Sequence, residues 1–162
     1  MQKSIDKWHN HFLQMALLNA KLSKDPSTQV GAIITSADNH LISAGFNGFP
    51  RGIADTEERL NNRDIKLSLV VHAEMNSILA AAKLGISLKG SNMYIAATDK
   101  SGLIWGGEPC DFCVKHIIQA GISKIISYPR KNIPSRWHKS LDLSKALIEE
   151  VGIEYKEIKL EI

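Results

Sequence analysis

The sequence has only two cysteines, Cys110 and Cys113, so a framework of disulfides is excluded, and a pair three residues apart reads as metal or redox chemistry. No apolar run is long enough to span a bilayer. Met1 to Asn10 lacks the apolar core of a secretory signal. The cytoplasm is therefore the expected location, and no membrane partner is expected. Charge of one sign is also scarce. Twenty Lys and Arg stand against 17 Asp and Glu, a net +3, without the basic stripe of a dedicated DNA binder. Nucleic acid is thus not the expected partner, whereas a small anionic substrate is compatible. No repeat, low-complexity tract or linker divides the 162 residues, and one domain is expected over 1–162.

What is present is regular α and β patterning. Apolar positions Trp8, Phe12, Met15, Ala16, Leu18 and Leu22 predict a helix over Ser4 to Ser23. Asp25-Pro26 ends it, because proline disfavours helical geometry in the residue before it. Gln29 to Thr35 and Leu41 to Phe46 read as a hairpin turning through Ala37-Asp38-Asn39. A long polar segment, Asn47 to Lys66, reads as a loop. A helix over Val70 to Leu84 closes at Gly85, and a strand follows at Met93 to Ala97. Asp99 to Pro109 reads as a Gly-rich loop. A helix over Cys110 to Ala120, a strand over Lys124 to Tyr128, a helix over Leu141 to Val151 and a strand over Ile153 to Ile158 complete the chain. The order α-β-β-α-β-α-β-α-β predicts an α/β layer fold. Its five-stranded sheet is mixed, with the last strands parallel and joined by right-handed crossovers.

Chemistry concentrates at two expected helix starts. One carries His72-Ala73-Glu74 and the other Pro109-Cys110-Asp111-Phe112-Cys113. The i, i+3 spacing puts both sulfurs on one helix face, and a helix N-terminus favours thiolates. One imidazole and two thiolates form a three-ligand zinc set, leaving the fourth position for water as in catalytic sites. Glu74, two residues past His72, is then free to carry protons. His-x-Glu followed by Pro-Cys-x-x-Cys is the signature of zinc deaminases. Two other readings stay open: a dithiol redox pair, which leaves His72 and Glu74 without a role, and a closed structural zinc site with His116 as fourth ligand. His9, His11, His40 and His138 match no ligand spacing and are expected to be solvated.

On these residues the chain resembles the deoxycytidylate (dCMP) deaminases of the cytidine deaminase superfamily. The resemblance extends to Ser23 to Ala32, Gly45 to Gly52, His72 to Ile78 and Ile117 to Ile122. It implies a three-layer α/β/α cytidine-deaminase-like fold, one catalytic Zn2+ per subunit, and hydrolysis of dCMP to dUMP and ammonia. Water activated at the metal would attack C4, with Glu74 carrying its proton to N3 and then to the leaving amine. The backbone of Ala73 would hold the base. Asn47 would bond the deoxyribose hydroxyl, and Thr28 would lie in the substrate site. The parallel last strands resemble the dCMP and tRNA deaminases rather than the free-cytidine enzymes.

The resemblance further implies a homo-oligomer, often a hexamer, activated by dCTP and inhibited by dTTP, and Lys24, Asp25 and Gly48 fall where such an effector is expected. The phosphate needs cationic partners; Arg51 is the substrate-site candidate, among Arg59, Arg63, Lys66, Arg130 and Lys131. The segment Asp99 to Glu108, with Trp105-Gly106-Gly107, is longer than the family's short turn, which places an aromatic at the pocket rim and leaves the substrate open. The alternatives are a tRNA adenosine, free cytidine or cytosine, a riboflavin precursor, or a zinc-stabilised binding module without catalysis. With only two cysteines, no second, structural zinc is expected.

Overall fold

A computed structural model describes residues 2–159, with side chains from residue 7. Met1 and residues 160–162, the ends of the domain expected over 1–162, lie outside the described residues. The elements run α1 (Gln2–Ala20), β1 (Gln29–Thr35), β2 (Leu41–Phe46), α2 (Glu57–Asn61), α3 (Arg63–Leu69), α4 (Ala73–Lys83), β3 (Asn92–Thr98), β4 (Ile104–Gly106), α5 (Asp111–Gln119), β5 (Lys124–Ser127), a 3₁₀ turn (Ser135–Trp137), α6 (His138–Val151) and β6 (Glu154–Glu157).

The sheet order is β2-β1-β3-β5-β6, with β4 paired to β3 off that path. β1 is antiparallel to both β2 and β3, whereas β3, β5 and β6 are parallel, as expected. Side chains alternate between the faces of a strand, and this sorts the core into two layers. Ile34, Met93, Ile95 and Ile125 pack with Ala81, Val114, Ile117 and Ile148, which belong to α4, α5 and α6. Their sequence neighbours Ile33, Tyr94, Ala96 and Ile126 pack with Phe12, Leu13 and Ala16 of α1. The result is the three-layer α/β/α arrangement. Among the described residues no helix is long and apolar enough to cross a membrane.

Three local readings are corrected. Asp99 to Pro109 is not all loop: the Asp99 side chain accepts from Ser101 N at 2.8 Å and Leu103 N at 3.0 Å, turning the chain back. Ile104 to Gly106 then pairs with Thr98 and Ala97, and three residues are too few to show alternation. The polar segment before Lys66 contains α2, and α3 begins within it. Both depend on caps: Thr56 Oγ1 accepts from Arg59 N and Asn62 Oδ1 from Ile65 N. α2 buries no residue, so no apolar stripe announced it. Val70 and Val71 precede α4 instead of opening it, because Val71 exchanges backbone hydrogen bonds with Gly48.

The buried face of α1 also differs. It is His9, Phe12, Leu13, Ala16 and Ala20, while Trp8, Leu18 and Leu22 are exposed. His9, expected in solvent, is buried, with Nδ1 3.0 Å from the Tyr94 hydroxyl. Apolar residues occupy both sides of α1, and its small residues decide which side faces inward. An added Cβ at Gly31 of β1 would lie 1.9 Å from Ala16 O and 2.7 Å from Ala20 N. Helix and strand are thus in backbone contact.

Gly31→Ala should therefore destabilise the fold by about 3 kcal/mol or more, since neither clashing atom is a side chain that can move aside. Gly48→Ala, whose Cβ would meet only the Phe46 ring at 3.8 Å, is the comparison. Denaturant midpoints that fell equally in both would contradict this packing account.

Candidate active site

α4 begins against β2, and that contact sets the first chemical group. Gly45 has no side chain to hold the helix away: a Cβ there would lie 2.4 Å from Ala73 O and 2.5 Å from Ser77 N. Ser43 Oγ donates to Ser77 O at 2.8 Å and Asn76 Nδ2 to Phe46 O at 2.8 Å. His72 occupies the N-cap with extended backbone and makes no side-chain capping bond. Its imidazole is consequently not committed to the helix.

α5 supplies the other groups. Cys110 is its N-cap and Cys113 lies within its first turn. The start is tied to α6, because Ser140 Oγ accepts from Asp111 N at 3.0 Å and donates to Asp111 Oδ1 at 2.6 Å. On the inward face Cys113, Val114 and Ile117 are buried.

The two helix starts meet. His72 Nδ1 lies 3.5 Å from Cys110 Sγ and 3.3 Å from Cys113 Sγ, and all three ligand atoms fall within 4.8 Å of one another. Bonds of about 2.3 Å to sulfur and 2.0–2.1 Å to nitrogen at a tetrahedral angle put N and S about 3.6 Å apart. The cluster therefore fits zinc. No fourth His, Cys, Asp or Glu joins it among the described residues. His116 is directed along its own helix, Nδ1 donating to Phe112 O at 2.9 Å. His11, His40 and His138 are exposed.

Glu74 is buried beside the cluster, within hydrogen-bonding reach of the Cys113 thiol. Burial, reinforced by the negative Cys110, raises its pKa to about 7 against the opposing pull of His72. A carboxyl poised there can both accept and release a proton near neutrality. Cys110 is lowered to about 4, first by its hydrogen bond with Cys113, then by His72. Cys113 is pushed up by the same thiol bond and by burial. Hydrogen bonding to Cys110 also raises His72 above its ordinary value. The group thus favours one thiolate at a helix N-terminus, a charge pattern suited to a cation.

A pocket of about 840 Å³, counted out to its open mouth, leads to these residues. Thr28, Asn47, Ala73 and Asp25 line it, whereas Arg51, Lys24 and Gly48 do not. Arg51 is exposed, and Lys24 pairs with Asp55 at 2.7 Å. The amide of Asn47 is fixed by two bonds: Oδ1 accepts from Val30 N and Nδ2 donates to Thr28 O, both at 2.8 Å. One Asn47 N–H remains for a ligand. Asp25 is committed to structure, accepting from Ser27 N, Thr28 N and the buried Lys66 Nζ.

Three pocket residues were not legible as such. Arg136 and Trp137 come from the Pro-punctuated loop, and Glu108 from the β4 arm, where its carboxylate accepts from Arg130 Nε at 2.5 Å. Trp105, expected at the rim, is buried and lines the wall. Only Trp105 gave any advance signal in these segments.

The comparisons agree with this geometry. Residues 6–128 match the model of the cytidine and deoxycytidylate deaminase zinc-binding region. The chain is 37% identical over 159 residues to an uncharacterized deaminase in the luxG 3' region of Aliivibrio fischeri, covering 98% of each. It is 35% identical to a probable deoxycytidylate deaminase of Drosophila melanogaster, covering 92% of this chain and 71% of that one. With human deoxycytidylate deaminase the identity is 39%, over 74% of this chain and 64% of the other. The fold matches the dCMP deaminase of cyanophage S-TIM5, solved with dCMP and dUMP, at a TM-score of 0.69 and 24% identity, covering 91% and 94% of the two chains. With the motif, the clustered ligands and these relatives in place, the chain belongs to the cytidine and deoxycytidylate deaminase family and is a hydrolytic deaminase.

Proposed function

We propose that this enzyme converts dCMP to dUMP and ammonia, using one zinc ion held by His72 Nδ1, Cys110 Sγ and Cys113 Sγ. The observation that carries the reading is the convergence of those three atoms beside a buried carboxyl whose pKa is raised to about 7. The substrate rests on the relatives: the fly and human proteins named above are deoxycytidylate deaminases by name. The homo-oligomer, the dCTP and dTTP response and the cytoplasmic location belong to the same reading and rest on the family alone.

When bound, the zinc supplies a Lewis acid that lowers the pKa of water at its open position. Glu74 takes a proton from that water and delivers it to N3 of the cytosine. As oxygen bonds to C4, the carboxyl passes the second water proton to the amino nitrogen. The C4–N bond then breaks and ammonia leaves. Burial favours this cycle because it keeps the protonated form of Glu74 accessible. The remaining Asn47 N–H bonds the deoxyribose hydroxyl, and Thr28 completes that wall. The backbone of Ala73 holds the edge of the base.

Glu74→Gln should lower kcat by about 10²- to 10⁴-fold, the usual contribution of a positioned acid–base group. Zinc content and melting temperature should stay at wild-type values. Ammonia release at the wild-type rate would remove Glu74 from the mechanism.

Cys110→Ala should instead bind little or no zinc on metal analysis of the purified protein, and chelation of wild type should abolish activity that added Zn2+ restores. Full zinc content in the alanine variant would show that the metal lies elsewhere.

Across dCMP, CMP, deoxycytidine, cytosine, a riboflavin precursor and an adenosine stem-loop, kcat/KM should be highest for dCMP. Turnover of another member with dCMP inert would replace the substrate while leaving the zinc chemistry intact.

A further inference from the structure

Cys113 is fixed from within α5, but Cys110 stands at the edge of that helix. It is the N-cap, with extended backbone at φ −72° and ψ 168° and no side-chain capping bond. Its place therefore depends on the chain that enters the helix, Gly106 to Pro109. That chain has little freedom. Gly107 lies against the sheet, where a Cβ would come within 2.0 Å of Ile95 O and 3.1 Å of the Ser127 Cβ. Gly106 has φ 130°, and a Cβ there would lie 3.2 Å from the Arg130 Cα. Lys131 N donates to Trp105 O at 2.9 Å, so the entering chain and the loop after β5 run in backbone contact. Pro109 holds its own φ near −65° and restricts Glu108 before it.

Glu108 is the last residue before that stiff link, and its carboxylate is clamped. Its side chain is 7% exposed, and Oε2 accepts from Arg130 Nε at 2.5 Å. Arg130 reaches onward, Nη1 donating to Asp142 Oδ1 of α6 at 2.8 Å. One guanidinium thus joins three segments: the chain entering α5, the loop leaving β5, and α6. The planar fork of arginine serves two carboxylates in fixed directions, which the point charge of a lysine does not. The Asp142 side chain is 66% exposed, so the outer contact contributes little. A buried carboxylate without its partner is costly, so the inner contact is the one that holds Glu108. Neither residue has a step in the deamination.

We propose that Glu108 and Arg130 are positioning residues: their ion pair sets Cys110 Sγ against His72 Nδ1 and Cys113 Sγ, and so governs how tightly the site holds its metal. The proposal rests on the zinc reading above for the identity of the ion.

The test loads the full chain with Zn2+ and follows its release to a chromogenic chelator. Glu108→Gln, which keeps the shape and removes the charge, and Arg130→Gln should each release zinc roughly tenfold faster, the lower end of what residues outside the ligand set contribute. The double variant should release it no faster than either single one, because each already loses the same pair. Arg130→Lys should recover part of the loss. Co2+-loaded Glu108→Gln and Arg130→Gln should shift in the visible bands that report ligand geometry, which a loss of stability alone leaves in place. Lys124→Gln removes a cation of similar exposure, paired with Glu154 across β5 and β6, and should change neither readout. With the metal stripped, alkylation of Cys110 by iodoacetamide, read by peptide mass against Cys113, should rise severalfold in both glutamine variants. Wild-type release rates and cobalt spectra in both overturn the proposal, as do additive losses in the double variant. A lower melting temperature with unchanged release also overturns it, since the pair then serves only the fold. A wild type that takes up no zinc overturns the zinc reading, and alkylation then decides the pair: an unchanged Cys110 rate overturns it and a raised one upholds it.

Discussion

Two helices must begin at nearly the same point in space, and most of the molecule serves that constraint. His72 precedes α4 and Cys110 precedes α5, so their donor atoms converge only if both helices are placed to within a fraction of an ångström. The sheet does this from two directions. β2 grips α4 through backbone contact at Gly45, with Ser43 and Asn76 bonding across the seam. α5 is held from the other side by Ser140 of α6. Neither helix needs a side chain of its own to cap it, which leaves the imidazole and thiols available at the ends where helix dipoles favour anionic ligands.

The electrostatics of the floor follow from that arrangement. The negative Cys110 and the imidazole of His72 pull on Glu74 in opposite directions, which leaves burial to decide its charge. Its proton affinity is then governed mainly by desolvation, the largest cause of its raised pKa. A carboxylate in water would be too weak a base at neutral pH to take a proton and later return it. The same burial excludes bulk water from competing for the base. Position in the chain alone, two residues past a ligand, delivers both the proximity and the shelter.

How much of this was legible in the sequence depended on the kind of signal. The meeting of His72, Cys110 and Cys113, with Glu74 beside them, was readable because ligand chemistry restricts the residue types and a helix fixes their spacing. The five main strands and the parallel last pair were readable from apolar runs and glycine stops such as Gly152, which adopts φ 75° at the end of α6. α2 and β4 were not, since one buries nothing and the other is three residues long; both exist through side-chain caps and turns at Thr56 and Asp99. The inward face of α1 was misread because Leu18 and Leu22 are as apolar as Phe12 and Leu13. Only the close approach at Gly31, a tertiary fact, selects the smaller face. His9 was misread for the same reason: its partner Tyr94 is 85 residues away.

The pocket divides its work by depth. Its floor is built from helix starts fixed to the sheet, where displacement would cost chemistry. Its wall near Thr28 and Asn47 depends on a buried ion pair, Lys66 with Asp25, whose desolvation is offset by three donors converging on one carboxylate oxygen. Replacing such a pair by apolar residues is often neutral for stability, so its presence beside Asn47 is better explained by position than by stability. Asp25 orders residues 27 and 28, Thr28 O orients Asn47, and Lys66 ties that chain of bonds to α3. Arg63 sits three residues before Lys66 on the same helix. The element that anchors the Asn47 wall thus also carries a second cation of the pocket lining, and both are placed by one helix.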